Sequence, residues 1–360
     1  MSLVPTEAKG WLGSARAIIL KKDVSSDNSD RSIMRRTRRL WLVGIPLMLF
    51  FYVVFYCNSA IWESLNINTH PLDNIITGSG FRKLLEERAR LAEKLHSGEK
   101  IQRLPQCIII GVRKCGTRAL LEFMDLHPTV EIAQEEVHFF DDRDNYGQGL
   151  SWYLKKMPMT LSNQYTVEKT PRYFIDPSVP DRIKSLNSSI KLLVILRNPT
   201  TRVVSDYTQI YYNKLARNET HEDFERLVLD PFTGEINVHY RAIQISIYHQ
   251  FFPRWFSTFS KDQIHIVDGD NLIVDPVSEI SQIENFLGIE NRITYNTLYF
   301  NKTRGFYCMR FNKTAEKCLG ASKGRKHPDL EPSVIKKMKK FFRPHNERLF
   351  RILKRRFNWS

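Results

Sequence analysis

Cysteine is scarce in this chain, with five in 360 residues. So few cannot staple a protein of this length, and an apolar core must carry the fold. No Gly-Lys-Ser/Thr triplet occurs. That excludes a Walker A loop, whose hydroxyl would hold Mg²⁺, and disfavours a nucleotide kinase. No second histidine stands at ligand spacing from His138, so a metal site is disfavoured as well. Internal repeats are missing. Long uncharged runs are missing too, apart from Leu40–Cys57.

The most informative stretch is Gln106–Leu121, QCIIIGVRKCGTRALL. A β-branched run stops at Gly111, a short loop follows, and helix formers begin at Arg118. Strand, loop and helix in that order make an anion site, because a helix N-terminus presents unpaired N–H groups and a partial positive charge. Lys114 adds a full charge, and Thr117 can cap the helix or donate to an oxyanion. Alone, the segment fits an ordinary strand–turn–helix corner equally well.

Strand and helix signals alternate beyond this point. Strands are expected at Cys107–Gly111, Tyr165–Glu168, Lys191–Arg197 and Ile264–Asp268. Helices are expected at Thr117–Leu126, Thr201–Tyr211, Arg241–Trp255, Pro276–Leu287 and Pro332–Leu353. The alternation implies an α/β domain with a central parallel sheet flanked by helices. Ligands then bind beyond the strand C-termini, where Gly111, Glu168 and Arg197 converge. Lys191–Arg197 ends in arginine where a P-loop NTPase places a metal-binding aspartate, which suits a phosphate held without metal. An edge salt bridge explains the arginine as well. Glu135–Asp141, EEVHFFD, packs acids and an imidazole between aromatics. Aromatic neighbours would desolvate a carboxylate and raise its pKa, as a general base requires. The alternative is a loop anchored by Phe139 and Phe140 with exposed acids.

Leu40–Cys57, extended by Ala60-Ile61-Trp62, is long enough to cross a bilayer, and Arg35, Arg36, Arg38 and Arg39 precede it. Positive-inside logic gives a cytoplasmic tail (1–39), a signal-anchor (40–62), a stem (63–105) and a luminal domain (106–360). A cleaved signal peptide or a buried helix are the competing readings. Sequons at Asn187, Asn218, Asn301, Asn312 and Asn358 fit luminal exposure. Cys107 reads as core, and Cys308 and Cys318 lie close together in a polar loop. The net charge is +15, of which +5 falls in residues 1–61 and +10 in the remainder. That excess points to an acidic partner. Nucleic acid fits the charge but not a lumen, whereas a sulfated or carboxylated polysaccharide fits both. The run Lys336–Arg356 is also explained by a solvated basic face.

Six motifs stand in order: GVRKCGTRALL (Gly111–Leu121), EEVHFFD, EKTPRYF (Glu168–Phe174), LRNPTTRVVSDYTQ (Leu196–Gln209), YFNKTRGFYC (Tyr299–Cys308) and SKGRKHP (Ser322–Pro328). Together they resemble the heparan sulfate glucosaminyl 3-O-sulfotransferases from about Gln106 to Trp359, most closely the isoform 5 and isoform 1 branches. The resemblance implies a P-loop-like sulfotransferase domain preceded by one transmembrane helix, in a Golgi type II membrane protein. It implies 3′-phosphoadenylyl sulfate as sulfuryl donor, heparan sulfate as acceptor, and no metal. Glu136 matches the catalytic base, with Lys114, Lys169 and His138 beside it. Lys114, Cys115, Gly116, Thr117, Arg118, Arg197, Ser205, Tyr307, Lys323, Gly324, Arg325, Lys326 and His327 match donor contacts. Arg118, Glu136, Val137, His138, Phe139, Phe140, Asp141, Asp142, Lys169, Thr170, Pro171, Arg172 and Gln209 match the acceptor side. A Cys308–Cys318 bridge is implied as well.

Two positions depart from the family pattern. Cys115 replaces a glycine, so crowding of the phosphosulfate or a changed backbone angle is expected. Arg172 replaces a small residue, where it would either bind an extra sulfate or block the cleft. The alternatives to 3-O-sulfation are sulfation at another glycan position, or a glycan-binding membrane protein weakened through Cys115.

Overall fold

The computed structural model describes residues 98–311, 315–320 and 328–359. The expected cytoplasmic tail and signal-anchor, most of the stem, the Asn312 sequon and the loop from Lys323 to His327 lie outside the described residues. Among the described residues, no helix is long and apolar enough to cross a membrane.

A five-stranded parallel sheet organises the chain. Its strands are β1 (Cys107–Gly111), β2 (Val130–Ile132), β3 (Tyr165–Lys169), β4 (Lys191–Leu196) and β5 (Ile264–Asp268), in the spatial order β2-β3-β1-β4-β5. β1 is buried throughout and β4 nearly so, as continuous apolar runs covered on both faces must be. The chain moves outward from β1 on one side and returns to β4 on the other. The loops after β1 and β4 therefore diverge and leave a crevice at the strand ends. Ile109 pairs with Lys169, which brings the ends of β1 and β3 side by side.

The helix Thr117–Met124 follows β1, and the helix Pro199–Ala216 follows β4. Pro199 begins the second of these as a proline should, and the Asn198 side chain caps it through the Thr200 N–H. It therefore starts earlier and runs further than the apolar pattern suggested.

The helix expected over Arg241–Trp255 is broken. Arg241–Ser246 ends at Ile247, a short 3₁₀ turn covers Tyr248–Gln250, and Phe252–Thr258 restarts with Pro253 in its first turn. Proline lacks an N–H and clashes with the preceding turn, so the chain breaks ahead of it. The break leaves Tyr248 buried, its hydroxyl donating to the Arg197 carbonyl at 2.9 Å. The helix Pro332–Leu353 is continuous despite Pro344.

Two smaller sheets were not legible beforehand. Ile101–Gln102 pairs with Met159–Thr160, so the last residues assigned to the stem pack onto the domain. Leu298–Asn301, Phe306–Arg310 and Glu316–Lys317 form an antiparallel sheet, cross-linked by a Cys308–Cys318 disulfide. Cys107 is fully buried, as expected.

Candidate active site

The loop after β1 is held from beneath by an arginine that sequence reasoning passed over. Arg202 is fully buried. It donates to the Arg113 carbonyl at 3.0 Å, to the Ala242 carbonyl at 2.7 Å and to Ser246 Oγ at 2.9 Å, and it pairs with Asp206. Arg113 also reaches Asp206, at 3.2 Å. A buried guanidinium must find partners for its donors, and here one of them is the Arg113 carbonyl in the phosphate-type loop itself. Gly269, at the end of β5, approaches this loop so closely that an added Cβ would lie 2.5 Å from the Cys115 carbonyl oxygen.

Gly116, with φ 109°, occupies the N-cap position without a side-chain cap. Thr117 is therefore the first helical residue and not the cap, and it is buried. Lys114 is held at φ 75° and donates to Gln209 Oε1 at 2.7 Å, which ties the loop to the helix after β4.

The expectation for Cys115 is corrected. The left-handed conformation falls on Lys114 and Gly116, and Cys115 does not share it. The Cys115 side chain is 1% exposed and packs in the core, with Sγ 3.5 Å from the Tyr248 hydroxyl. Burial lifts its thiol to about 11, against the Tyr248 hydrogen bond and nearby arginines. The sulfur thus fills a core position instead of crowding an anion.

At the end of β4, Arg197 donates through Nε to Asp270 at 2.9 Å, and the other Asp270 oxygen takes the Asn198 N–H. Asp270 orients the arginine, and nothing in the sequence singled it out. Ser205 sits half-buried on the helix that follows.

The acidic loop is suspended from hydroxyls placed just beyond β3. Thr170 Oγ1 accepts the N–H groups of Val137 and His138 at 3.1 and 3.3 Å. The Tyr173 hydroxyl accepts those of Phe139 and Phe140 at 3.0 and 3.4 Å. Asn145 donates to the carbonyls of Val137 and His138. Phe139 and Phe140 are 1% exposed, and Phe139 stacks on Tyr153 with ring centroids 4.4 Å apart. They anchor the loop and are not acceptor contacts. Val137 is buried as well, Pro171 is buried, and Asp142 caps the short helix Arg143–Gly147.

The loop leaves Glu136 partly exposed at the cleft. One Glu136 oxygen pairs with Nζ of Lys169, whose side chain is buried, and the other lies 3.6 Å from His138 Nε2. His138 Nδ1 is 3.0 Å from Asp141, whose carboxylate is fully buried and also 3.4 Å from Arg172 Nε. Arg172 thus completes the Asp141 site, with its side chain half exposed. Hydrogen bonds to Asp141 and Glu136 raise the His138 imidazole to about 9, against the opposing pull of burial.

The pKa expectation for Glu136 is overturned. Burial raises its carboxyl, but hydrogen bonds and charge from His138 and Lys169 outweigh burial and bring it down to about 2. The aromatics act elsewhere. Glu168 is fully buried, and burial lifts it to about 7 against hydrogen bonds from Thr170 and Tyr153 and the charge of Lys169. Thr170 donates to one Glu168 oxygen at 2.5 Å and Tyr153 to the other at 3.3 Å. The raised carboxyl is therefore the support under the loop, while the exposed one is kept ionised by its cationic neighbours.

Arg118 donates to Glu122 at 2.7 Å and to the Gln134 carbonyl at 2.7 Å, which binds the first helix to the strand leading into the acidic loop. Tyr307 lies on the antiparallel sheet, packed against Phe300 and the core. Of the described sequons, Asn187 is 6% exposed and its side-chain oxygen takes both donors of Ser189, so this site is closed to a glycan. Asn218 and Asn358 are exposed and Asn301 is half-buried.

A parallel sheet with an anion loop after its central strand, and a lysine–carboxylate pair beside it, suits group transfer from a phosphate-bearing donor. Residues 104–351 match the Sulfotransferase domain family, so the class of the protein is that of the sulfotransferases. The fold agrees with the crystal structure of a sulfotransferase from Alicyclobacillus acidocaldarius, at a TM-score of 0.50 and 19% identity, covering 71% of this chain and 98% of that one. The chain belongs to the heparan sulfate glucosamine 3-O-sulfotransferases. It is 52% identical over 267 residues to heparan sulfate glucosamine 3-O-sulfotransferase 5 of Homo sapiens, covering 74% of this chain and 77% of the relative. The Mus musculus counterpart gives the same figures, and Homo sapiens heparan sulfate glucosamine 3-O-sulfotransferase 3B1 is 41% identical, covering 73% and 67%.

Proposed function

We propose that this protein transfers the sulfuryl group of 3′-phosphoadenylyl sulfate to the 3-hydroxyl of a glucosamine in heparan sulfate. Family membership supports the reaction. The observation that carries the mechanism is the Glu136 carboxylate, held between Lys169 and His138 at the end of β3, beside the anion loop of β1.

The donor supplies an electrophilic sulfuryl group joined to a phosphate leaving group. Lys114 and the first N–H groups of the Thr117–Met124 helix fit that phosphate. Arg197, oriented by Asp270, and Ser205 fit the 3′-phosphate. Glu136 takes the acceptor hydroxyl's proton as the oxygen–sulfur bond forms and the sulfur–oxygen bond to the phosphate breaks.

At its resting pKa of about 2 Glu136 is ionised but a weak base. Hydrogen bonds from His138 and Lys169 and the charges of both cause that depression. When Lys169 turns to the charge on the transferring group, Glu136 loses a cation and its proton affinity rises. One lysine thereby couples charge stabilisation to activation of the base. Asp141 keeps His138 oriented against Glu136.

The same reading makes the chain a single-pass type II Golgi membrane protein with a luminal catalytic domain. Arg35–Arg39 ahead of Leu40–Cys57 and the Cys308–Cys318 bridge both suit it. Incubating the protein with labelled donor and heparan sulfate, then resolving the product disaccharides, tests the activity. The label should fall on the glucosamine 3-position. Label at another position would establish sulfation of a different site, and no transfer at all would leave a glycan-binding protein.

A further inference from the structure

The helix Pro332–Leu353 presents a row of cations that the proposed chemistry does not use. Lys336, Lys339, Lys340 and Arg343 line one groove of about 560 Å³. Helical spacing of three and four places them on a single face, spanning roughly 10 Å of axis. All four are exposed, and none makes an ion pair among the described residues. Like charges at such spacing destabilise a helix, so the row costs stability unless an anion neutralises it. The acid in the groove, Glu347, is already taken by Arg356 through bonds of 2.7 and 3.1 Å. Asn198 and Thr200, which follow Arg197 in the chain, also line the groove. It shares no lining residue with the groove of about 490 Å³ beside Glu136.

We infer that this groove is a second docking surface for the acceptor polysaccharide, holding a sulfated stretch remote from the residue being sulfated. The inference rests on the proposed acceptor. Four exposed cations in one row fit a linear polyanion with charges along its length, whereas a single phosphate would engage only part of the row. The consequence is kinetic. A long chain gains from both surfaces through effective concentration, and a short oligosaccharide gains from the reacting cleft alone.

The test compares the full-length protein with Lys336→Ala/Lys339→Ala/Lys340→Ala/Arg343→Ala, in which alanine preserves helix propensity. With long heparan sulfate the variant's KM should rise about tenfold, a sum of several screened surface contacts. KM for a short oligosaccharide, KM for the donor and kcat should stay at parent values. Calorimetry with heparan sulfate chains and no donor should show the same weakening, together with a shallower dependence on salt. This binding arm stands even if transfer proves to occur at another glycan position, which separates the two readings. An unchanged KM and affinity for long chains would overturn the inference. So would a variant that binds long chains normally but no longer binds vesicles rich in anionic lipid, because the groove would then serve a membrane surface.

Discussion

Glu168 offers a sharp check on the electrostatics, because it is fully buried and its raised pKa stands apart from the others in the site. Burial lifts its carboxyl from 4.5 to about 7. The folded protein therefore holds a proton there that the unfolded chain has already released. Between those two values the unfolded state binds fewer protons, so stability falls as pH rises through this window and levels off above it. At 1.36 kcal/mol per unit, the loss is about 3 kcal/mol. The perturbation is Glu168→Gln, a neutral group of the same shape that can still accept from Thr170. Thermal unfolding of parent and variant should be followed from about pH 5 to about pH 8. Histidines buried neutral oppose the trend, and His138 adds its own slope toward pH 9, but both proteins share these contributions and the difference cancels them. Relative to the parent, the variant should gain about 3 kcal/mol across the window, or roughly 6 °C in Tm. Curves that run parallel from acid to neutral pH would refute the assignment of Glu168 as the raised carboxyl.

Three further outcomes follow from single contacts. Cys115→Gly should cost about 1–2 kcal/mol, since it empties a core position and loosens the loop, and calorimetry should show no gain in affinity for 3′-phosphoadenosine 5′-phosphate. Gly269→Ala should destabilise by about 2 kcal/mol or more in denaturant unfolding, because its Cβ would meet two backbone oxygens, at 2.5 and 2.8 Å. Replacing Cys308 and Cys318 by serine should lower stability by on the order of 2–3 kcal/mol, measured the same way, and unreduced peptide mapping of the parent should find the two linked.

Much of the frame was legible because local pattern and tertiary role agreed. Cys107–Gly111 and Ile264–Asp268 are strands over their full expected lengths: the first is a buried apolar run ending at a glycine, and the second, a half-buried edge strand, carries β-branched Ile264, Ile266 and Val267 ahead of a turn. Pro276–Leu287 and Pro332–Leu353 carry a proline in the first turn and a strong apolar face, and both match. The antiparallel sheet around Phe306–Arg310 was missed, because its strands are short and the aromatic-rich Leu298–Asn301 and Phe306–Arg310 lack the apolar–polar alternation that marks a strand covered on one face. Within the site, the strand-end positions of Lys169 and Arg197 could be read, but their partners could not. Glu136 seemed desolvated because aromatics flank it in sequence; in space those rings point their bulk at Tyr153 and Tyr173, and the carboxyl meets two cations instead. Arg202 and Asp206 share one helix, whereas Asp270 and Tyr248 come from other segments, and little in the local sequence marks their roles. The one available clue was Asp206, four residues beyond Arg202 on one helix face.

The central claim is that Glu136 acts on the acceptor hydroxyl while Lys114, Arg197 and Ser205 hold the donor. Calorimetry with 3′-phosphoadenosine 5′-phosphate, run beside a sulfate-transfer assay on Glu136→Gln and Arg197→Ala, tests that division directly. Arg197→Ala should weaken nucleotide binding through loss of a charge-assisted contact. Glu136→Gln should bind the nucleotide as the parent does and transfer sulfate about a hundredfold more slowly or worse, the scale of a lost general base. A Glu136→Gln protein that binds the nucleotide and still transfers sulfate at the parent rate would contradict the assignment.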